Sequence, residues 1–118
     1  MKKKYIVKST RDFDSIIKNG ICIKNKYYVI YYKINNLLYD RYGISVSKKL
    51  GNAVFRNKYK RKLRAIIDNY KKMYLNNEDY IIILRKEAIS QKYEILEKAF
   101  FDLMNQRMKG IKKNDKNK

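Results

Sequence analysis

The 118-residue sequence contains no histidine, no tryptophan and no proline, and it has one cysteine and four glycines. Without histidine the commonest general base is missing. The Ser-His-Asp triad and nearly every zinc site go with it. Four scattered glycines, at 20, 43, 51 and 110, cannot build a glycine-rich phosphate loop. The lone Cys22 excludes an internal disulfide and fits a reducing compartment. No apolar run approaches the roughly 18 residues that cross a bilayer. The basic N-terminus, Met1 to Lys4, is not followed by an apolar stretch, so no signal peptide is expected. If the chain takes part in catalysis, something else must supply the reacting groups.

Acid is also scarce. Thirty Lys and Arg face eleven Asp and Glu, a net charge of +19. A field of that size on one domain suits a polyanionic partner, nucleic acid or an anionic membrane. Lys, Ile, Asn and Tyr fill 63 of the 118 positions, and all four have AU-rich codons. An AT-rich genome can therefore inflate the total charge, but it does not explain where the arginines cluster. Hydrophobic residues make up 45%, enough for one real core.

Along the chain, Ser9 or Thr10 can cap a short helix that carries Phe13, Ile16 and Ile17 on one face and stops at Gly20. Strands are expected over 21–24 and 26–34, broken at Asn25, with a turn at Asn35-Asn36. A second long strand, Tyr39 to Lys48, has Tyr42, Ile44 and Val46 on one side and Gly43, Ser45 and Ser47 on the other. It is expected to form a hairpin with the strand before it. A helix capped by Asn52 runs to about Tyr74. Asp79 to Lys86 is continuously apolar at its centre, so it is read as a central strand covered on both faces. Ser90 is the expected cap of the last helix, which places Tyr93, Leu96, Phe100 and Leu103 on one face. Residues 1–108 form one domain, and 109–118 a frayed basic tail. The class is α+β, helices on a sheet.

The most informative segment is Gly51 to Arg64. On a helical wheel Phe55, Tyr59, Leu63, Ile66, Tyr70 and Met73 form one narrow apolar stripe. Arg56, Asn57, Lys60, Arg61 and Arg64 occupy a separate face with no acid until Asp68. A solvated helix normally interleaves Glu with Lys, because like charges in adjacent turns repel. This one does not, so the face is read as a nucleic-acid surface. The planar guanidinium fork suits bidentate pairing with phosphate. Other motifs are weaker. Asp12-x-Asp14 reads as helix-start chemistry, Glu78-Asp79 as turn chemistry, and Cys22 as a small buried hydrophobe.

The run Gly43 to Arg61, Gly-Ile-Ser-Val-Ser-Lys-Lys-Leu-Gly-Asn-Ala-Val-Phe-Arg-Asn-Lys-Tyr-Lys-Arg, resembles the signature of the protein subunit of bacterial ribonuclease P. The resemblance spans roughly Lys8 to Met108. It includes Asp12-Phe13, Lys18-Asn19-Gly20, Tyr28 to Tyr31, Asp79 to Ile83 and Arg85-Lys86. Lys58 stands where the family pattern has a third-position Arg, and Ile17 where an aromatic is often seen. The resemblance implies an α-β sandwich of order αβββαβα, of the type found in a ribosomal-protein domain. Its mixed sheet would contain a left-handed crossover from strand 39–48 through helix 52–74 to strand 79–86. It implies a cytoplasmic ribonucleoprotein in which the partner RNA holds Mg2+ and hydrolyses precursor tRNA at the 5′ end of the mature sequence. The implied partners are that catalytic RNA and precursor tRNA, with no membrane and no DNA. By position, Asn52, Arg56, Asn57, Lys58, Lys60, Arg61 and Arg64 would bind the catalytic RNA. Phe13, Ile17, Tyr31, Ser45, Ser47 and Lys48 would bind the single-stranded 5′ leader. A ribosomal-type structural RNA binder shares the charge, the size and the missing catalytic groups. A DNA-binding regulator would need a recognition helix and a dimer seam, and no seam is apparent.

Overall fold

The computed structural model describes residues 2–116, with side chains described through 106. Seven main elements follow in order: α1 (Thr10–Asn19), β1 (Ile21–Lys24), β2 (Tyr28–Ile34), β3 (Arg41–Ser45), α2 (Ala53–Lys71), β4 (Glu78–Leu84) and α3 (Tyr93–Lys116). The order is the expected αβββαβα. The frayed tail expected over 109–118 falls where side chains are not described, and residues 117 and 118 lie outside the described residues.

Local chemistry starts the helices as anticipated. Ser9 Oγ accepts from the Asp12 N–H at 3.0 Å, and Asn52 Oδ1 accepts from the Phe55 N–H at 3.0 Å. Gly20 ends α1 without a left-handed turn. Its φ is −84°, and a Cβ there would lie 2.4 Å from the Ile16 carbonyl oxygen. Glycine is needed for that close approach, not for its φ. Ser90 does not cap α3. It sits at φ 71°, donating its N–H to the Tyr59 hydroxyl at 2.9 Å. Met73, placed in the apolar stripe by the wheel, lies beyond the end of α2 and is 66% exposed.

The sheet order is β1-β2-β4-β3. β1 and β2 form an antiparallel hairpin at Asn25, whose Oδ1 accepts the N–H groups of Tyr27 and Tyr28. The hairpin expected between β2 and β3 does not form, because β4 lies between them. β4 is antiparallel to β2 and parallel to β3. Its Tyr80, Ile81 and Ile82 are fully buried, so the strand needs cover on both faces and takes the centre. The two connections meeting at this end are tied by Asp40, which accepts from the N–H of Glu78 at 2.7 Å and of Asn76 at 3.1 Å. The unit β3–α2–β4 is the parallel crossover.

Register sorts the sheet into rows. On one face lie Ile23, Ile30, Ile82 and Ile44, with Tyr32, Tyr80 and Tyr42 beside them. The Tyr42 and Tyr80 rings stack at 4.9 Å. α2 covers this face with Tyr59, Leu63, Ile66, Ile67 and Tyr70, and α3 with Leu96, Phe100, Leu103 and Met104. Burying one such aliphatic side chain contributes about 1.5–3 kcal/mol. Among the described residues, the opposite face is covered by α1 and by Val7 of the segment before it, which form a small cluster with Ile81. That asymmetry leaves part of a sheet face open to solvent.

Candidate nucleic-acid interface

On α2 the wheel geometry holds. Tyr59, Leu63, Ile66 and Tyr70 are buried, while Asn57, Lys58, Arg61 and Arg64 are exposed. Arg56 and Lys60 are half-buried. Among the described residues, none of Arg56, Lys60, Arg61 and Arg64 has an ion-pair partner. The Arg56 Nε is shielded from water and has no hydrogen-bond partner. Such a donor, held out of solvent and unpaired, carries a desolvation cost. Asn52 is exposed, but its Oδ1 is committed to the helix cap.

The buried acids lie on other elements and are already engaged, and the acid that α2 itself carries, Asp68, lies one turn beyond Arg64. Asp79 accepts from Arg41 Nε at 2.8 Å and Nη2 at 2.6 Å, and from Asn35 Nδ2 at 2.9 Å. The Asp79 carboxylate raises the Arg41 pKa above its ordinary value, chiefly through that hydrogen bond. Asp40 is occupied by backbone N–H groups, and Glu78 accepts from the Tyr80 hydroxyl at 2.9 Å. These buried carboxylates therefore serve the fold, and the basic face stays uncompensated.

The open sheet face makes a groove beside α1. Three rows run across it. Lys33, Asp79 and Arg41 form the first, and Cys22, Tyr31, Ile81 and Gly43 the second. Lys24, Val29, Ile83 and Ser45 form the third. α1 is fixed over the first two. Ser15 Oγ accepts from Lys33 Nζ at 3.3 Å, and the Phe13 ring rests on Gly43. A Cβ at Gly43 would lie 2.6 Å from Phe13 Cε2 and 2.8 Å from Ile81 Cδ1, so the small residue is what lets the ring sit there. The third row runs past this cover, with Val29, Ile83 and Ser45 half-buried and Lys24 exposed.

Phe13, Ile17 and Tyr31 come together around the Val7–Ile16–Ile81 cluster, each half-buried. Ser45 lies one row away. Ser47 and Lys48 do not continue the strand, which ends at Ser45. They are exposed at a short 3-10 turn, Lys48–Leu50, where Ser47 Oγ accepts from the Lys49 N–H at 3.2 Å. Cys22 is exposed rather than buried. It lies opposite Tyr31, and together with partial burial it raises the phenol's pKa, the thiol's charge being the larger cause. Val29, Ile83 and Lys24 escaped sequence reasoning, since only strand register places them in the groove.

The two surfaces adjoin. A cavity of about 110 Å³ at the edge of β3 is lined by Phe13, Val7, Tyr42 and Ile44 together with Lys60 and Arg64 of α2. A groove with aromatic and aliphatic walls thus opens beside unpaired cations. Fold and site define a strongly basic α+β protein of the polyanion-binding class.

The model of the family described as Ribonuclease P matches residues 1–108. The ribonuclease P protein component of Mycoplasma mycoides subsp. mycoides is 42% identical over 107 residues, 90% of this chain and 98% of that protein. That of Streptococcus agalactiae is 46% identical over 104 residues, 88% of this chain and 94% of that protein. A solved structure of the Staphylococcus aureus RNase P protein, a mutant described as having defective mRNA degradation activity, superposes with a TM-score of 0.83. It is 36% identical and the match covers 90% of each chain. The chain belongs to the ribonuclease P protein family, and its role lies in ribonuclease P tRNA processing.

Proposed function

We propose that the chain binds the RNA of a ribonuclease P through α2 and the single-stranded 5′ leader of precursor tRNA through the groove beside α1. Arg56, Lys60, Arg61 and Arg64 neutralise backbone phosphates, with Asn57 and Lys58 at the same surface. Phe13 and Tyr31 offer ring faces to leader bases, and Ile17 and Ser45 line the path. Ser47 and Lys48 stand at the turn where the groove meets α2. Such a groove is sequence-tolerant, because every base has a π-face. The hydrolysis belongs to the RNA, which holds the Mg2+, and the site of action is the cytoplasm.

The observation that carries this reading is the four-cation face without a paired acid, two of whose members, Lys60 and Arg64, line one cavity with Phe13. The experiment is cleavage of precursor tRNA at low salt with Mg2+. The protein alone is expected to be inactive, and the protein with its cognate RNA to release the leader. Robust cleavage by the pure protein without RNA would overturn the reading.

A further inference from the structure

A second aromatic and cationic surface lies at the far end of α2. From Ala53 to Lys71 the helix rises about 27 Å. Beside its last turn, a cavity of about 300 Å³ is lined by Tyr5, Leu38, Tyr39, Lys71, Tyr74 and Leu75. The Tyr5 and Tyr39 rings meet edge to face at 5.5 Å. Lys4 Nζ lies 5.0 Å and 5.3 Å from the two ring centroids, and Lys71 Nζ lies 3.2 Å from that of Tyr5. Their sequence neighbours Lys2, Lys3 and Lys72 are exposed. Asp40 also lines the cavity, its oxygens held by backbone N–H groups, and its charge acts on Lys71. Asp68 acts on Lys71 from α2. Burial lowers the Lys71 pKa, so this ammonium has lost part of its water and would gain from an anionic partner. Leu38 at 89% and Leu75 at 65% exposure leave the apolar walls wet.

We infer that this cluster is a second RNA contact, which seats one unpaired nucleotide in the cavity against the Tyr39 ring, braced by Tyr5, while Lys4 and Lys71 take its phosphate. Charge complementarity selects the partner, since Lys4 and Lys71 stand at the aromatic rings beside the apolar walls. Both surfaces lie along α2, with Lys60 and Arg64 at the Phe13 cavity and Lys71 at this one, so a single RNA that follows the helix reaches both. The inference rests on the RNA-binding reading proposed above and adds to it a specific place where a base stacks.

The test titrates the full chain, in a Phe13→Leu background that weakens the groove, with a short unstructured oligouridylate and with an abasic strand of equal length. Tyr39→Ala is expected to lower affinity for the base-bearing strand about 5- to 10-fold. The abasic strand should be unaffected, and the salt dependence unchanged. Tyr5→Phe should keep full affinity, because stacking needs the ring and not the hydroxyl. Photocrosslinking from 4-thiouridine should map to the peptides containing Tyr5 or Tyr39. Equal loss on both strands, no loss, or crosslinks confined to the α1 groove would overturn the inference and leave these tyrosines as anchors of the N-terminal arm or as a protein contact. Arg61→Ala separates the two readings. It should weaken both strands and lower the salt slope. If it does nothing, the RNA-binding reading of α2 fails, whatever the tyrosines show.

Discussion

Phe13→Leu separates packing from stacking in the groove. The Phe13 ring rests on Gly43 and touches Ile81, and the residue is half-buried. Leucine keeps a branched apolar group over that glycine but has no π-face. A volume-conserving swap of this kind costs less than about 1.5 kcal/mol. In a domain of this size that lowers the melting temperature by only a few degrees. Loss of one base–aromatic contact costs about 1 kcal/mol, or roughly fivefold in affinity. The assay binds the assembled ribonucleoprotein to a cleavage-resistant precursor tRNA and to mature tRNA, beside thermal melts of the protein. Affinity for the precursor should fall about fivefold while mature tRNA binds as before, because only the precursor has a leader. Phe13→Ala should show the same binding split with a larger stability loss, about 2 kcal/mol, because a half-exposed ring loses less than a fully buried one. Equal weakening for both tRNAs, in step with the melting temperature, would refute the stacking role and leave Phe13 as a packing residue.

Three further outcomes are expected. Arg61→Ala should lower the slope of log affinity for the catalytic RNA against log salt by about 0.7–0.9, with an unchanged melting temperature. Arg41→Ala should destabilise the fold by about 3 kcal/mol in urea titration, because it strips the bidentate partner from Asp79, which is only 4% exposed. Tyr28 is fully buried, its hydroxyl donating to the Leu96 carbonyl at 2.8 Å, and burial raises its pKa well above the ordinary value near 10. The folded state therefore keeps its proton after the unfolded chain has lost it. This contribution is complete below about pH 10 and declines above it by about 1.4 kcal/mol per pH unit. Urea melts of Tyr28→Phe at rising pH should show a shallower alkaline decline, and a decline identical to the parent would refute the assignment.

Features decided within one element were legible in the sequence. The caps at Ser9 and Asn52 need only a side chain and an N–H three residues on. The stripe of α2 needs only the helical period, and the central place of β4 only its unbroken apolar run. Features that depend on distant partners were not legible. Strands β2 and β3 are joined by a short turn-forming segment, yet β4 separates them. Asp40 ties that connection to the backbone of Asn76 and Glu78, a contact across more than 30 residues with no local trace. Ser90 looks like a cap because serine favours that role. In the fold its N–H is claimed by Tyr59 of α2, and it takes a left-handed conformation instead.

The same division runs through the site. Arg56, Lys60, Arg61 and Arg64 could be read as one face because a single helix carries all of them, and the absence of interleaved acid is visible in the sequence itself. Nothing local marks Phe13 as other than an apolar helix residue. Family resemblance, not periodicity, brought it into the groove. The geometry then gives a physical reason for a large ring at that point. Gly43 has no side chain, Ile81 lies beside it with Tyr31 next in the same row, and α1 is pinned above by Ser15 and Lys33. Remove the glycine and the ring must move outward, toward the space where a base would stack. The groove is therefore set by the pairing of β3 with β4 as much as by the residues that line it. Ser45 belongs to it because it shares a row with Ile83, Val29 and Lys24. Ser47 leaves that row when the strand ends and turns toward α2, which puts the groove's exit beside the cations that would carry the rest of the RNA.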